Sequence, residues 1–287
     1  MLPIKDNLPT SRFPILTVLL IAANIAVFVW QISQPSDPGS STDPHVPALS
    51  QQDETILNYG AVPYRITHPG KECAVETELV APGSAQQNVV CEGTAAYERA
   101  QNEPEIRLQK LDSPPWWETI FTSMFMHGGI LHIAFNMLFL WIFGNNVEDS
   151  MGRGRFLLFY LLAGIVAAYA QALLDTGSTE PAVGASGAIA GVLGGYLLLF
   201  PRARVLTVVF IIFFVTLIEI PAVIVLGIWF VLQFLPAIGQ VGTDAVSGGG
   251  GVAYWAHVGG FAFGFAAIKL FASRRGAPGP GPPRPAY

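Results

Sequence analysis

The most regular feature of the chain is a series of long, uncharged apolar stretches separated by short polar connections. A bilayer core about 30 Å thick requires about 20 predominantly apolar residues in a helix. Six stretches come close to that length, so the sequence predicts an all-α membrane protein with six transmembrane helices. The predicted helices are 14–32, 128–147, 156–174, 181–200, one within 220–239, and 252–271.

The apolar region 205–235 is too long for one helix, and Glu219 and Pro221 interrupt it. Proline suits the first turn of a helix, and an acid just before that turn faces the positive end of the helix dipole. We therefore predict that the fifth helix starts at Pro221. The preceding residues 205–218 are interpreted as an interfacial or re-entrant connection.

Lysine and arginine are concentrated in alternate connections. They occur in the N-terminal segment 1–13, in the connections after helices two and four, and after helix six, whereas connections 175–180 and 240–251 contain none. Because short cytoplasmic loops carry the excess of positive charge, both termini are predicted to be cytoplasmic, in the plasma (inner) membrane. The first stretch, 14–32, lacks a small-residue cleavage site and is interpreted as a span rather than a signal peptide.

The polar segment 33–115 separates the first two helices and is predicted to be a large external loop. Residues 34–118 contain 13 acids and 5 bases, so this insert is strongly acidic. Both cysteines of the chain, Cys73 and Cys91, lie in it. The sequence leaves two alternatives for these cysteines: a disulfide between them, as an oxidising compartment would favour, or two free thiols. The proline-rich segment 273–287 is predicted to be a disordered cytoplasmic tail.

Composition excludes several classes of protein. Hydrophobic residues make up 52% of the chain and charged residues 12%, with a mean hydropathy of +0.47, which argues against a soluble enzyme. The net charge of −5 argues against a protein that binds nucleic acid, because such a protein needs a basic surface. Two cysteines and scattered histidines do not form a metal motif, and no nucleotide or organic cofactor is indicated.

Four polar residues within the predicted spans stand out. His132 and Asn136 are four residues apart on one face of helix two, Ser186 is near the start of helix four, and His257 is near the start of helix six. Polar groups inside a bilayer are costly and therefore indicate function. These three helices are predicted to run in the same direction, so the four side chains are expected at the same depth.

Small residues at four-residue spacing follow the serine and the second histidine. Such rows allow helix backbones to touch in a membrane. His257, Gly260 and Gly264 fall on one helix face, so the histidine is expected to point at the helix that the glycines contact. Helix four, with its matching row, is the natural choice, and this packing would bring Ser186 against His257. The rows are Gly187, Gly191 and Gly195 in helix four, and Gly260 and Gly264 in helix six.

This arrangement predicts nucleophilic catalysis by a dyad. His257 would accept the proton of the Ser186 hydroxyl, and no carboxylate is predicted at that depth to form a triad. The backbone N–H of Ser186 and the side chains of His132 and Asn136 would stabilise an oxyanion. The alternatives from the residues alone are that the glycine-flanked serine serves helix packing and that His132 and Asn136 make interhelical hydrogen bonds.

Three motifs in this order resemble the rhomboid family of intramembrane serine proteases, which have a six-helix core. The resemblance spans the predicted catalytic core, 116–272, and leaves the external insert and the tail outside. The motifs are HGGILHIAFN at 127–136, GASG at 184–187, and AHVGG at 256–260 followed by Gly264.

The resemblance implies that Ser186 is the nucleophile and His257 the general base. It also implies that His132 and Asn136, with Gly184 beside the serine, form the oxyanion and substrate-binding site. The implied partners are single-span membrane proteins, cut near the outer end of the span, and the lipid bilayer itself.

The resemblance further implies that substrates gain access by movement of helix five and of the connection 240–251. The glycine run 248–251 suits a mobile cap, since glycine tolerates many backbone conformations. One departure concerns Ala190, four residues after the serine, where some relatives carry an aromatic residue that stacks on the catalytic imidazole. Another aromatic would then orient His257, or the base would be held less firmly.

The sequence thus predicts an intramembrane serine endopeptidase. The alternative is a catalytically silent rhomboid-like chaperone or adaptor that binds membrane helices. A third hypothesis, a small-solute transporter that uses His132, His257 and Glu219, is weakened because Glu219 is predicted at the opposite membrane face and no inverted repeat is apparent.

Overall fold

Helices dominate the computed structural model, which describes residues 2–36, 49–81, 84–211, 214–240 and 252–272. The predicted tail 273–287 and the glycine run 248–251 lie outside the described residues. In chain order the helices are α1 (Ile15–Ile32), α2 (Gln51–Tyr59), α3 (Pro63–Thr67), α4 (Ala95–Asn102), α5 (Trp116–Thr122), α6 (Ile130–Phe139), α7 (Asn145–Met151), α8 (Arg153–Leu174), α9 (Ser186–Leu199), α10 (Ala222–Gln240) and α11 (Tyr254–Phe271).

Within the described residues, six strands form two separate antiparallel sheets of three strands each. One sheet has the order β1-β5-β6 and joins the N-terminus to the segment before α10. The other has the order β3-β2-β4 and belongs to the external insert. The strands are β1 (Leu2–Asp6), β2 (Cys73–Ala81), β3 (Ser84–Cys91), β4 (Arg107–Lys110), β5 (Arg204–Ile211) and β6 (Phe214–Pro221).

Four helical segments in the described ranges are long and apolar enough to cross a membrane. They are α1, α8, α10 and the continuous segment Ile130–Met151, in which a π-helical stretch at Leu140–Gly144 joins α6 to α7. α9 has 14 residues, and α11 has 18 residues that include His257 and Lys269. The count of six spans therefore stays a prediction.

The fourth predicted helix begins later than expected. The sequence favoured 181–200, but α9 starts at Ser186. The residues before it are not helical, because Ala182 exchanges two backbone hydrogen bonds with Ala61 of the insert, at 3.0 and 2.8 Å. Because the helix starts late, Ser186 lies at its N-terminus, where backbone N–H groups have no partner within the helix.

The predicted interfacial or re-entrant connection 205–218 has a regular structure that the sequence analysis did not predict. This region is rich in β-branched residues and forms the strands β5 and β6, with Val205 opposite Ile220 and Val208 opposite Leu217. β5 also pairs with β1 from the N-terminus. Helix five begins at Ala222, directly after the predicted Pro221.

The insert is a folded unit rather than an irregular loop. Its central strand β2 pairs with β3 and β4, and Cys73 lies directly opposite Cys91. A disulfide joins these two cysteines, and both are buried. The side chains of Val62 and Tyr64 pack against them in a small core.

The start of α1 is held by acids from α7. The buried carboxylate of Glu148 accepts hydrogen bonds from Leu16 N at 3.1 Å, from Thr17 N at 2.8 Å and from Thr17 Oγ1 at 2.8 Å. Asp149 accepts two further bonds from Ser11. Glu148 therefore acts as an N-cap for α1 from another helix, with its negative charge at the positive end of the dipole.

Replacing Glu148 by alanine should lower the free energy of unfolding by about 2–3 kcal/mol, because two buried donors of Thr17 and the partly buried N–H of Leu16 lose their acceptor. Thermal unfolding of the purified protein in detergent measures this. The control Glu148→Gln retains one oxygen and should lose less. An unchanged melting temperature for Glu148→Ala would contradict the capping role.

A buried polar cluster fixes β1 to the bundle. Asp6 Oδ2 accepts hydrogen bonds of 2.7 Å from both the Tyr196 hydroxyl and the Asn146 amide. Burial raises the pKa of Asp6, and the bonds from Tyr196 and Asn146 oppose that rise. The sheet β1-β5-β6 is thus attached to α9, the helix that begins with Ser186.

Candidate active site

Ser186 and His257 are in direct contact. His257 Nε2 lies 2.8 Å from Ser186 Oγ, within the distance at which an imidazole accepts a hydroxyl proton. The serine is the first residue of α9, and the histidine is in the first turn of α11. Ser186 is partly exposed and His257 is 9% exposed, so the pair lies at the border of the core.

The two predicted rows of glycines form the contact between α9 and α11. A Cβ atom added to Gly260 would overlap the carbonyl oxygen of Gly187, and one added to Gly264 would overlap that of Gly191. Backbones this close leave no room for any side chain. The short distance between the helices brings the side chains at their N-terminal ends together.

The second ring nitrogen of His257 has a partner that the sequence analysis missed. Nδ1 lies 2.8 Å from Oε1 of Gln233 on α10. Asn136 was singled out because a polar side chain within a predicted span is costly. The amide of Gln233 also lies within a predicted span, so the same criterion would have identified it. The ring of Trp229, one helical turn before Gln233, lies 6.0 Å from the imidazole ring, centroid to centroid.

The ring of His132 lies beside the segment that precedes the serine. Gly184 has φ of +123°, a conformation that favours glycine, and an added Cβ would lie 2.8 Å from His132 Nε2. The same Cβ would lie 3.5 Å from Ser186 Oγ. The glycine thus allows His132 to approach the serine, and Gly184 N is fixed by a bond of 2.8 Å to Ser123 O.

The side chain of Asn136 is buried and donates a hydrogen bond of 3.1 Å to the carbonyl of His132 in its own helix. His127, which also lies in the first motif, is buried and packs edge-on against His132 at 5.2 Å between ring centroids. Gln31 of α1 bonds both the backbone N–H and the carbonyl of His127. α1 therefore supports the segment that carries His132.

Comparison with known proteins decides the family. The model of the rhomboid domain matches residues 114–274, more than half of the 287 residues. The chain belongs to the rhomboid family. With its apolar helices, this rhomboid is an integral, multi-pass membrane protein.

Named relatives cover only parts of this rhomboid. It is 49% identical to the rhomboid protease GluP of Bacillus subtilis over 82 residues, which are 29% of the chain and 15% of that protein. It is 31% identical to the mitochondrial rhomboid protein 1 of Saccharomyces cerevisiae over 146 residues, 50% of the chain and 38% of that protein. The putative rhomboid protease YdcA of B. subtilis is 40% identical over 86 residues, 29% of the chain and 40% of that protein. The chain thus spans less than half the length of each.

The insert of this rhomboid lies mostly outside the matched domain but forms one wall of the cleft above the serine. The cleft has a volume of about 950 Å³ and is lined by Ser186, His257 and His132 on the bundle side and by Gln86 and Asn88 of β3 on the insert side. A chain segment in this cleft would contact both parts of the protein.

The insert is bonded to the connection that leads into α9. Besides the pairing of Ala61 with Ala182, Thr179 Oγ1 donates a bond of 2.6 Å to the carbonyl of Val89. These bonds fix the wall of the cleft and the approach to Ser186 together. Among the described residues, no group of three or more His, Cys, Asp or Glu side chains could hold a metal ion.

Proposed function

We propose that this rhomboid is an intramembrane serine endopeptidase with a catalytic dyad of Ser186 and His257. The observation that carries the proposal is the 2.8 Å separation of His257 Nε2 and Ser186 Oγ at the N-terminus of α9, where the serine faces a cleft. A serine hydroxyl becomes an effective nucleophile when a base at this distance accepts its proton.

The dyad would act in two steps. Ser186 Oγ attacks the carbonyl carbon of the substrate while His257 Nε2 takes the hydroxyl proton, and the proton then passes to the leaving amine as the peptide C–N bond breaks. Water attacks the resulting ester, gives a proton to His257 and releases the carboxylic acid as the serine is restored. The second step needs a path for water, and the cleft beside Ser186 supports one.

The oxyanion would be stabilised by the backbone N–H of Ser186 and by the side chains of His132 and Asn136. The position of His132 beside Gly184 supports its role. Asn136 bonds the His132 carbonyl through its amide nitrogen, which carries a second hydrogen for the substrate. Gly184 would contribute by leaving space for the substrate backbone.

The proposed substrates are membrane proteins with a single transmembrane segment, cleaved at or near its outer end. A peptide bond in a helix has its carbonyl engaged in a hydrogen bond, so the segment must unwind before attack. Small and helix-breaking residues reduce the cost of unwinding. The positive charges of the chain support a topology with both termini in the cytoplasm and the site open to the outside of the plasma (inner) membrane.

Covalent labelling by a fluorophosphonate in detergent tests the proposal. We expect wild type to form an adduct on Ser186, mapped by mass spectrometry, and Ser186→Ala to form none while remaining folded. The silent adaptor predicts no adduct on wild type. The proposed dyad would be excluded if folded wild type formed no adduct, or if the adduct were mapped to a residue other than Ser186.

A further inference from the structure

We propose that Gln233 is a positioning residue, which holds the imidazole of His257 in the tautomer that activates Ser186 and makes this activation depend on the position of α10. The inference rests on the proposed function of the Ser186–His257 pair. In this inference, the reactivity of His257 on α11 toward Ser186 on α9 depends on a hydrogen bond from a third helix, α10.

The contact selects one tautomer of the imidazole. A neutral imidazole has one N–H and one nitrogen lone pair. The carbonyl oxygen of Gln233 can only accept a hydrogen bond, so the Nδ1 atom that faces it at 2.8 Å carries the hydrogen. Nε2 then presents its lone pair to Ser186 Oγ at 2.8 Å, as a general base must. With the amide reversed, the opposite tautomer would be favoured and Nε2 could not accept the proton.

No side chain on α9 replaces this support. Ala190, where some rhomboids have an aromatic residue, is fully buried and offers only a methyl group. α10 instead supplies both Gln233 and, one turn earlier, Trp229, whose ring lies 6.0 Å from His257 and 6.1 Å from Phe261. The hydrogen bond at Nδ1 of the imidazole and its contact with the Trp229 ring therefore come from the same helix.

The turn of α10 that carries Gln233 is also a weak point of that helix. Pro236 lies inside α10 and has no N–H, so the carbonyl of Leu232 lacks its bond within the helix. The side chains of Leu232 and Leu235 are 60% and 62% exposed, so this face of α10 does not pack against the bundle. A displacement of α10 by about 1 Å would take Gln233 beyond hydrogen-bond distance of His257.

The reactivity of the Ser186–His257 pair thus depends on the position of α10. A displacement of α10 of this size would break the bond between Gln233 and His257, and the base would lose its fixed orientation. The pair would be fully reactive only with α10 in the position described here. An open state would consequently be less reactive than the closed state, even toward a small reagent.

Two rates measured on purified variants test the role of Gln233. The first is the second-order rate of fluorophosphonate labelling, which needs the base but not the admission of a helix. The second is turnover of a membrane-spanning reporter, as separate kcat and KM values. We expect Gln233→Leu to lower both the labelling rate and kcat by roughly 10- to 100-fold, the scale of a misplaced catalytic group, with little change in KM. Gln233→Glu, which keeps an acceptor at the same reach, should recover most of both rates.

The control is Leu235→Ala, an exposed position on the same helix, which should leave both rates unchanged. Gln233→Met provides a second apolar variant if Gln233→Leu does not fold. Labelling of the apolar variant at the wild-type rate would overturn the inference, and so would a change confined to KM. If wild type itself is not labelled, the proposed function fails first, so the two failures are distinguishable.

Discussion

Replacing Ser186 by alanine is expected to lower the rate of cleavage of a membrane-spanning reporter by about 10⁴-fold or more, while the protein still folds and inserts. The reason is that the hydroxyl is the proposed nucleophile and its partner His257 cannot form an acyl intermediate. His257→Ala should cause a loss of similar size, because Ser186 Oγ then has no base at 2.8 Å. Reporter cleavage in proteoliposomes, followed on gels, measures both.

The double variant distinguishes a catalytic pair from two independent residues. Since serine and histidine act as a unit, Ser186→Ala with His257→Ala should be no slower than either single variant. Ser33→Ala, at an exposed position after α1, is the control and should cleave at the wild-type rate. A folded Ser186→Ala variant that cleaves as fast as wild type would rule out Ser186 as nucleophile.

The second large effect is expected on stability. Gly264→Val should lower the free energy of unfolding by about 3 kcal/mol or more, because its side chain would overlap the backbone of Gly191 and force α9 and α11 apart. The separation would also lengthen the distance from His257 to Ser186. Unfolding in a denaturing detergent and fluorophosphonate labelling should both report the change.

Gly227→Ala is the matched control for the glycine contact. It also adds a side chain to an apolar helix, but an added Cβ at Gly227 meets nothing within 4 Å beyond the adjoining backbone of its own helix. We expect its stability to equal or slightly exceed that of wild type, since alanine favours the helix. Equal stability losses in the Gly227 and Gly264 variants would show that backbone approach is not the cause.

The sequence predicted the meeting of Ser186 with His257 because two local signals agreed. Polar residues occurred at one predicted depth, and glycines at four-residue spacing marked the helix faces that would touch. The structure has that contact, whereas the catalytic roles stay predictions. Gln233 was missed because its relation to His257 depends on how α10 is rotated, which hydropathy does not report.

The parts of the fold that the sequence analysis missed have a common physical cause. The connection 205–218 was not predicted to form strands, and its sheet is completed by β1, more than 190 residues earlier in the chain. The start of α9 was placed too early for a similar reason, because Ala182 pairs with Ala61 of the insert. Periodicity identifies what a segment can form, whereas a distant partner determines what it does form.

The attachment of the insert to the connection before Ser186 has a pharmacological consequence. Inhibitors of a site within a bilayer ordinarily have to partition into lipid. Here Gln86 and Asn88 of a folded, disulfide-linked unit line the same cleft as the serine. An antibody fragment or cyclic peptide selected against β3 would therefore occlude the site from the aqueous phase, without ever dissolving in the membrane.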